Sequence, residues 1–402
     1  MIDKGFQRKK LKPFFIYNFL LLIWNADFLY LDSYKKTMSF TDKLHYKYLL
    51  YPFGLMRTKE ILKVNPTIIP QRIDSSEYCI TVYDYNQEIF TEHKCVSLKE
   101  CSKFCTTNTI KWINVDGINK QVVENLSKQF NIHNLIVEDI QSVGQRPKMD
   151  DINNHLFCLM NMLYFNDSNN SIEIEQISFV LGSHYVISFQ DDAERDVFNT
   201  LREKLKVATT KIRQSKADYL CYVLIDMIVD HYFIVMDKLG DKIESLEEEI
   251  IKTPNTRSLA TINQLRKELI VLKRSIAPVR DLINGFVKSD SSLIDENTSK
   301  YFKDVYDHII QANDLVENYR DMMVAMQDLY INQVNLKMNE VMKVMTIVTC
   351  LLAPATVIGG VFGMNFDRIP YLHNQYGFFI AVSLMLLIPV WMIWVFKRRG
   401  WF

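Results

Sequence analysis

The residues Asn339, Met342, Thr346, Thr349, Ala353, Thr356, Gly360 and Gly363 recur every three or four positions and draw one stripe of polar and small side chains through an otherwise apolar stretch. Interleaved with them, Val341, Met345, Val348 and Leu352 form an apolar stripe at the coiled-coil period. Hydroxyl and amide groups in a row want water or a close neighbour, whereas the second stripe suits lipid or a core. Ala355, Gly359 and Gly363, four apart, admit a plainer reading as small residues that let two helices pack closely. The polar row beside them begins at Asn339 and ends next to Asn365, which favours a helix lining an aqueous pore.

Such stripes need a membrane-spanning helix to carry them. Beyond Lys343 the chain runs about twenty residues without a charge, enough to cross ~30 Å of hydrocarbon. Residues 377–396 form a second uncharged stretch, closed by Lys397, Arg398 and Arg399, so the chain ends in a helical hairpin. Upstream, Val305, Ile309, Ala312, Val316, Tyr319, Met323, Met326 and Tyr330 alternate steps of three and four, as do Ile262, Leu265, Leu269, Leu272 and Ile276. This spacing predicts a coiled-coil-like helical stalk running on into Asn339, a rod able to carry movement to the membrane. Residues 66–192 have a different texture. Runs at 78–83 and 109–115 read as strands, 121–130 as a helix, and 156–165, 172–181 and 185–190 as an antiparallel meander separated by turn residues. The fold class expected is an α+β domain with a mixed or antiparallel sheet, a long helical stalk and a C-terminal two-helix transmembrane hairpin. Its divisions are 1–37 as an uncertain extension, 38–192 as a cytosolic α/β domain, 193–338 as the stalk and 339–402 as the hairpin.

Residues 1–37 put Lys9, Lys10 and Lys12 ahead of an apolar run at 14–24, the order of a signal peptide, but no small-residue cleavage site follows. Ordinary sequence begins at Met38, so the extension is read as a misassigned start or a disordered segment, with a surface helix or a true span as alternatives. The chain has 47 Lys and Arg against 47 Asp and Glu, and this balance argues against a nucleic-acid partner. Seven scattered cysteines suit a reducing compartment, and Cys95, Cys101 and Cys105 with His93 match no zinc spacing. No phosphate loop, catalytic triad or nucleophile elbow is present, so no enzyme is expected. The acidic run Glu244, Glu247, Glu248 and Glu249 is read first as a solvated helix face and second as a cation site.

The motif Phe362-Gly363-Met364-Asn365, just beyond the first of two C-terminal spans, resembles the Gly-Met-Asn signature of CorA-type magnesium channels. Residues 339–344, Asn-Glu-Val-Met-Lys-Val, look like the stretch that opens their pore helix, and the resemblance covers residues 65–402. It implies a passive homo-oligomeric channel of five subunits in the inner membrane. That channel would take up Mg²⁺, pass Co²⁺ and Ni²⁺ as well, and be gated by cytosolic Mg²⁺. Both termini would be cytoplasmic, in keeping with Lys337 and Lys343 before the first span and Lys397 to Arg399 after the second.

Mg²⁺ holds its waters tightly, so a filter for it should offer neutral oxygens to the hydrated ion. By resemblance Gly363, Met364 and Asn365 form that filter, with the Asn365 amide oxygens ringing the outer mouth; a helix C-cap is the plainer alternative for Asn365. Asn339 would form an inner ring, and Met342 and Met345 would narrow the bore. The resemblance also places regulatory cation sites between subunits, on Glu138, Asp139 and Asp304 with Asp226 a further candidate. An exposed helix charge is the alternative for each, and for Asp226 a buried pairing with Lys or Arg. Two departures stand out: Met345 and Ala353 replace bulkier pore residues, and Tyr371 stands where a loop acid is common, leaving Asp367 as the loop's carboxylate. A zinc transporter of the same fold and a membrane-anchored coiled-coil scaffold are the competing functions.

Overall fold

The structure, a computed structural model, describes residues 78–94, 97–101, 109–192, 195–364 and 376–401. The N-terminal 1–37 segment, Cys95, Cys105 and the loop holding Asn365, Asp367 and Tyr371 lie outside the described residues.

Seven strands, β1 (Cys79–Tyr85), β2 (Phe90–His93), β3 (Ile110–Asp116), β4 (Lys148–Ile152), β5 (His155–Asn166), β6 (Ser171–Leu181) and β7 (Tyr185–Gln190), make one sheet in the order β2-β1-β3-β7-β6-β5-β4. β3 and β7 run parallel, and the other neighbours are antiparallel. The sheet is mixed, and β5, β6 and β7 form the expected meander. Asn170 closes the β5–β6 turn in the left-handed region at φ 50°. Between its ends β5 is apolar on both faces except for Asn161, because both faces of the sheet are covered.

On one face, helices α2 (Lys120–Phe130) and α3 (Asn134–Gln141) lay Val122, Val123, Leu126, Ile136 and Ile140 against Ile80, Val82, Ile113, Phe157 and Ile187. α1 (Leu98–Cys101) is a single turn beside them, with Cys101 buried. On the other face, Trp112, Leu156, Cys158, Met160 and Phe179 meet the helical half of the chain. That half comprises α4 (Asn199–Lys206), α5 (Lys211–Gln214), α6 (Ala217–Lys252), α7 (Thr256–Val287), α8 (Glu296–Phe362) and α9 (Gly377–Arg398).

α8 is one uninterrupted helix of 67 residues and spans ~100 Å at 1.5 Å per residue. Asp295 starts it, its side chain accepting from the Asn297 N–H at 3.0 Å while its own N–H donates to Asp218 at 2.9 Å. Val305, Ile309, Ala312, Val316, Met323 and Met326 are all buried against α6 and α7, as their spacing requires. Past Met326 the helix leaves the core. Among the described residues three helices are long and apolar enough to cross a membrane, but 56% of the α6 window is buried inside the fold against 6% for α8 and α9. The apolar content of α6 therefore serves the core, and the two candidate spans are the end of α8 and α9.

Candidate ion pore and cation-binding acids

α9 packs on one side of α8. The covered side is marked by Ile347, Cys350, Leu351, Pro354, Ala355 and Ile358, each at least partly buried. Met342, Thr346, Thr349, Thr356 and Gly360 are exposed. At 100° per residue their mean direction lies about 140° around the helix from Ile347, so this stripe faces away from α9. Asn339, at the start of the stripe, and Met345 are exposed too, and Ala353 sits where the stripe meets a shallow apolar groove shared with Val357, Ile388 and Met392.

The threonines are less demanding than their polarity suggests. Thr346, Thr349 and Thr356 each donate a hydroxyl hydrogen bond to the carbonyl four residues back, on Met342, Met345 and Leu352, at 2.8, 2.8 and 2.9 Å. Helical threonines satisfied in this way tolerate lipid or water.

Gly363 caps α8 with φ −88°, an ordinary conformation, so no unusual turn needs its flexibility. What glycine provides there is room, because a Cβ would stand 3.0 Å from the Gly359 carbonyl. With Gly363 as the C-cap, that role is not left for Asn365, two residues on. Gly359 faces Met385 of α9, and Gly360 faces open space. The small-residue row thus serves helix contact at Ala355 and Gly359, while Gly360 lies on the polar stripe. Met364 is exposed.

Among the acids, Asp304 lies exposed on α8 and Asp226 is half-buried on α6. Asp226 accepts from the Tyr222 hydroxyl at 3.2 Å, and among the described residues no Lys or Arg pairs with it. Burial raises its pKa first and the charge of Asp230 next, with Asp304 adding to the rise while Tyr222 and His308 oppose it. Glu138 and Asp139 sit on α3. Asp139 is engaged within its own chain by Lys148 at 2.6 Å, and Lys148 also reaches Asp150 at 3.1 Å. Burial works against the Lys148 ammonium, but those two carboxylates outweigh it and hold its pKa above the usual range. Among the described residues, Glu138 and Asp139 form no cluster with Asp304. The chain does gather Asp226, Asp230 and His308, whose ligand atoms all lie within 4.8 Å of one another. Asp230 and His308 were not singled out in the sequence, although each stands four residues from a candidate that was. In the acidic run, Glu248 pairs with Lys252 at 2.8 Å and Glu249 accepts from Ser258 at 2.8 Å, which accounts for both as helix-end contacts.

Residues 107–398 match the family model described as CorA-like Mg²⁺ transporter protein. The chain belongs to that family. The cobalt/magnesium transport protein CorA of Thermotoga maritima is 37% identical over 326 residues, covering 81% of this chain and 93% of the relative. The CorA magnesium transporter structure from Methanocaldococcus jannaschii superposes with a TM-score of 0.66 at 21% identity, over 80% of this chain and 98% of that one, and shows the same fold. A more distant relative, the zinc transport protein ZntB of Yersinia pseudotuberculosis, is 20% identical over 72% of this chain and 87% of its own length. CorA-family membership makes this chain a membrane transporter and not an enzyme.

Proposed function

We propose that copies of this chain assemble, as the family resemblance suggests in fives, into a passive channel that admits Mg²⁺, and also Co²⁺ and Ni²⁺, across the inner membrane. The observation that carries the pore assignment is the direction of the Met342-Thr346-Thr349-Thr356-Gly360 stripe, exposed and turned away from α9. With α9 outermost, several copies would bring these stripes to a common axis. Asn339 would then ring the inner entrance, Met342 and Met345 would narrow the bore, and Gly363, Met364 and Asn365 would form the outer filter. A neutral amide ring suits an ion that keeps its water shell. Mg²⁺ bridging Asp304 of one subunit and Glu138 and Asp139 of the next would hold the closed state, with Asp226 nearby, and falling cytosolic Mg²⁺ would release it. Asp139 would have to exchange Lys148 for the ion.

Uptake into liposomes, compared for Mg²⁺, Co²⁺ and Zn²⁺, tests this reading. Asn365→Ala should abolish selective Mg²⁺ flux while assembly is retained, and unchanged uptake would sink the filter assignment. The cobalt/magnesium relative is much closer than the zinc relative, so Mg²⁺ flux should exceed Zn²⁺ flux. A chain that carried neither would be the membrane-anchored scaffold instead. Both termini should be cytoplasmic. A cysteine added at the C-terminus should resist impermeant reagents in intact cells, and labelling from outside would contradict that topology.

A further inference from the structure

Lys148 stands between two carboxylates, donating from Nζ to Oδ2 of Asp139 at 2.6 Å and lying 3.1 Å from Oδ2 of Asp150. The scaffold imposes this placement. Lys148 and Asp150 are two residues apart on β4, so their side chains leave the same face of the strand. The segment from α3 to β4 is tied to β6 by Gln176, which is buried, donates to the Ser142 carbonyl at 2.8 Å and accepts from the Gly144 N–H at 3.1 Å. The Ser142 hydroxyl donates to the Asp139 carbonyl at 2.9 Å and accepts from the Gln145 amide at 2.6 Å. Pro147 then fixes φ immediately ahead of Lys148. A segment held at so many points keeps the ammonium within reach of both acids. The Asp139 side chain is 16% exposed and that of Lys148 36%, so water screens the pair less than it screens a surface contact. Burial disfavours the ammonium, but the two carboxylates keep it charged.

We propose, resting on the subunit bridge through Asp139 and Asp304 described above, that Lys148 is a tethered competitor of Mg²⁺ for Asp139 and sets the Mg²⁺ concentration at which one subunit is bridged to the next. Mg²⁺ keeps its waters and meets a carboxylate largely through them, so its hold on one acid is modest. An ammonium in direct contact, supplied by the same chain at no cost of association, is a match for it. When the ion arrives, the ammonium withdraws to Asp150, whose side chain is 37% exposed. Asp150 is thus a resting seat. Without it the displaced charge would remain unneutralised beside the dication and oppose its binding. One lysine shared by two acids therefore makes Asp139 available only where Mg²⁺ is abundant, and the strength of the Lys148 contact fixes how abundant it must be.

Limited proteolysis of the full-length protein in detergent across a Mg²⁺ titration reads the concentration that gives half-maximal protection. Lys148→Met, which keeps the length and removes the charge, should lower that concentration by roughly three- to tenfold, the range of a partly buried charge-assisted contact. Lys148→Arg keeps the charge and grips a carboxylate with two prongs, so it should raise the concentration, and it tests the competition even where Lys148→Met loses stability. Asp150→Asn removes the resting seat. It should raise the concentration in the wild-type background and change it far less alongside Lys148→Met, because Asp150 acts through the lysine. Arg146→Met controls for the general field: Arg146 is exposed, reaches Asp281 at 3.8 Å, and its loss should leave the concentration within about twofold of the wild type. A concentration for Lys148→Met no lower than that for Arg146→Met would overturn the role of Lys148, and if Asp139→Asn still weakens protection the bridge itself stands. Wild-type protection that is independent of Mg²⁺ would overturn the bridge and the lysine's role together.

Discussion

Gly240 on α6 stands against Tyr319 of α8, and substitution there tests how tightly the stalk is registered. A Cβ added to Gly240 would lie 2.6 Å from the Tyr319 hydroxyl and 3.2 Å from the ring carbon that bears it. Two terms compete. Alanine is favoured over glycine in a helix interior by about 1 kcal/mol, and overpacking a fitted contact costs about 1–3 kcal/mol. Gly240→Ala should therefore be neutral to destabilising by about 2 kcal/mol. Tyr319→Phe removes the nearest atom, so in that background the alanine should recover most of its helix preference. The cycle should then show a favourable coupling of about 1–2 kcal/mol, well above the scatter between independent sites. Thermal unfolding of the wild type and three variants, at about 1 °C per kcal/mol for a chain of this length, is sufficient to resolve it when replicated. If Gly240→Ala raises the midpoint equally in both backgrounds, the two helices are not in the contact described.

Two further outcomes follow from the acids. Because the Asp226 pKa is raised by burial and by Asp230, its ionised form is penalised in the fold. Its contribution is most favourable below the ordinary carboxylate pKa of ~3.9 and is lost as pH rises through the raised value. Asp226→Asn should thus raise the unfolding midpoint at pH 7 without divalent ions and flatten its pH dependence, whereas a lower midpoint would contradict the penalty. If Asp304 holds Mg²⁺ between subunits, Asp304→Asn should shift protection of the soluble portion from proteolysis to on the order of tenfold higher Mg²⁺, about what one lost charge-assisted contact costs. Superimposable protection curves would leave Asp304 as a solvated helix charge.

What was legible in the sequence follows physical rules that had no competitor. The steps of three and four from Val305 to Met326 could be satisfied only by a packed helix, and all of these residues are buried except Tyr319, which is partly so. The edge strands β2 and β4 escaped notice because edges are short and polar: Lys148-Met149-Asp150-Asp151-Ile152 shows no alternation that a core would impose. α3 escaped because its N-cap is His133, whose ring accepts from the Leu135 N–H at 3.2 Å, in place of the usual Ser, Thr, Asp or Asn. The Asp226-Asp230-His308 cluster was hidden for another reason. Its members lie on two helices separated by α7, and spacing along one chain segment says nothing about which turns of two helices will meet.

The polar stripe shows how the better argument for a proposal can lie beside the one first noticed. Threonines argue weakly for water, since the hydroxyls at 346, 349 and 356 are already bonded to their own helix. The apolar residues argue better. The series Val341, Met345, Val348 and Leu352 continues backwards through Met338, Val334 and Ile331 in unbroken steps of three and four, and all seven are exposed. A seam with that period is what one helix shows another. Within the span lipid could cover it, but Ile331 and Val334 precede Lys337 and Lys343, whose charges mark the approach to the membrane surface, and there only water or protein is available. Apolar surface continuous across that boundary favours a neighbouring α8 as its cover over lipid. If neighbours occupy the seam while α9 keeps the opposite flank, the stripe from Met342 to Gly360 is the face left for the axis.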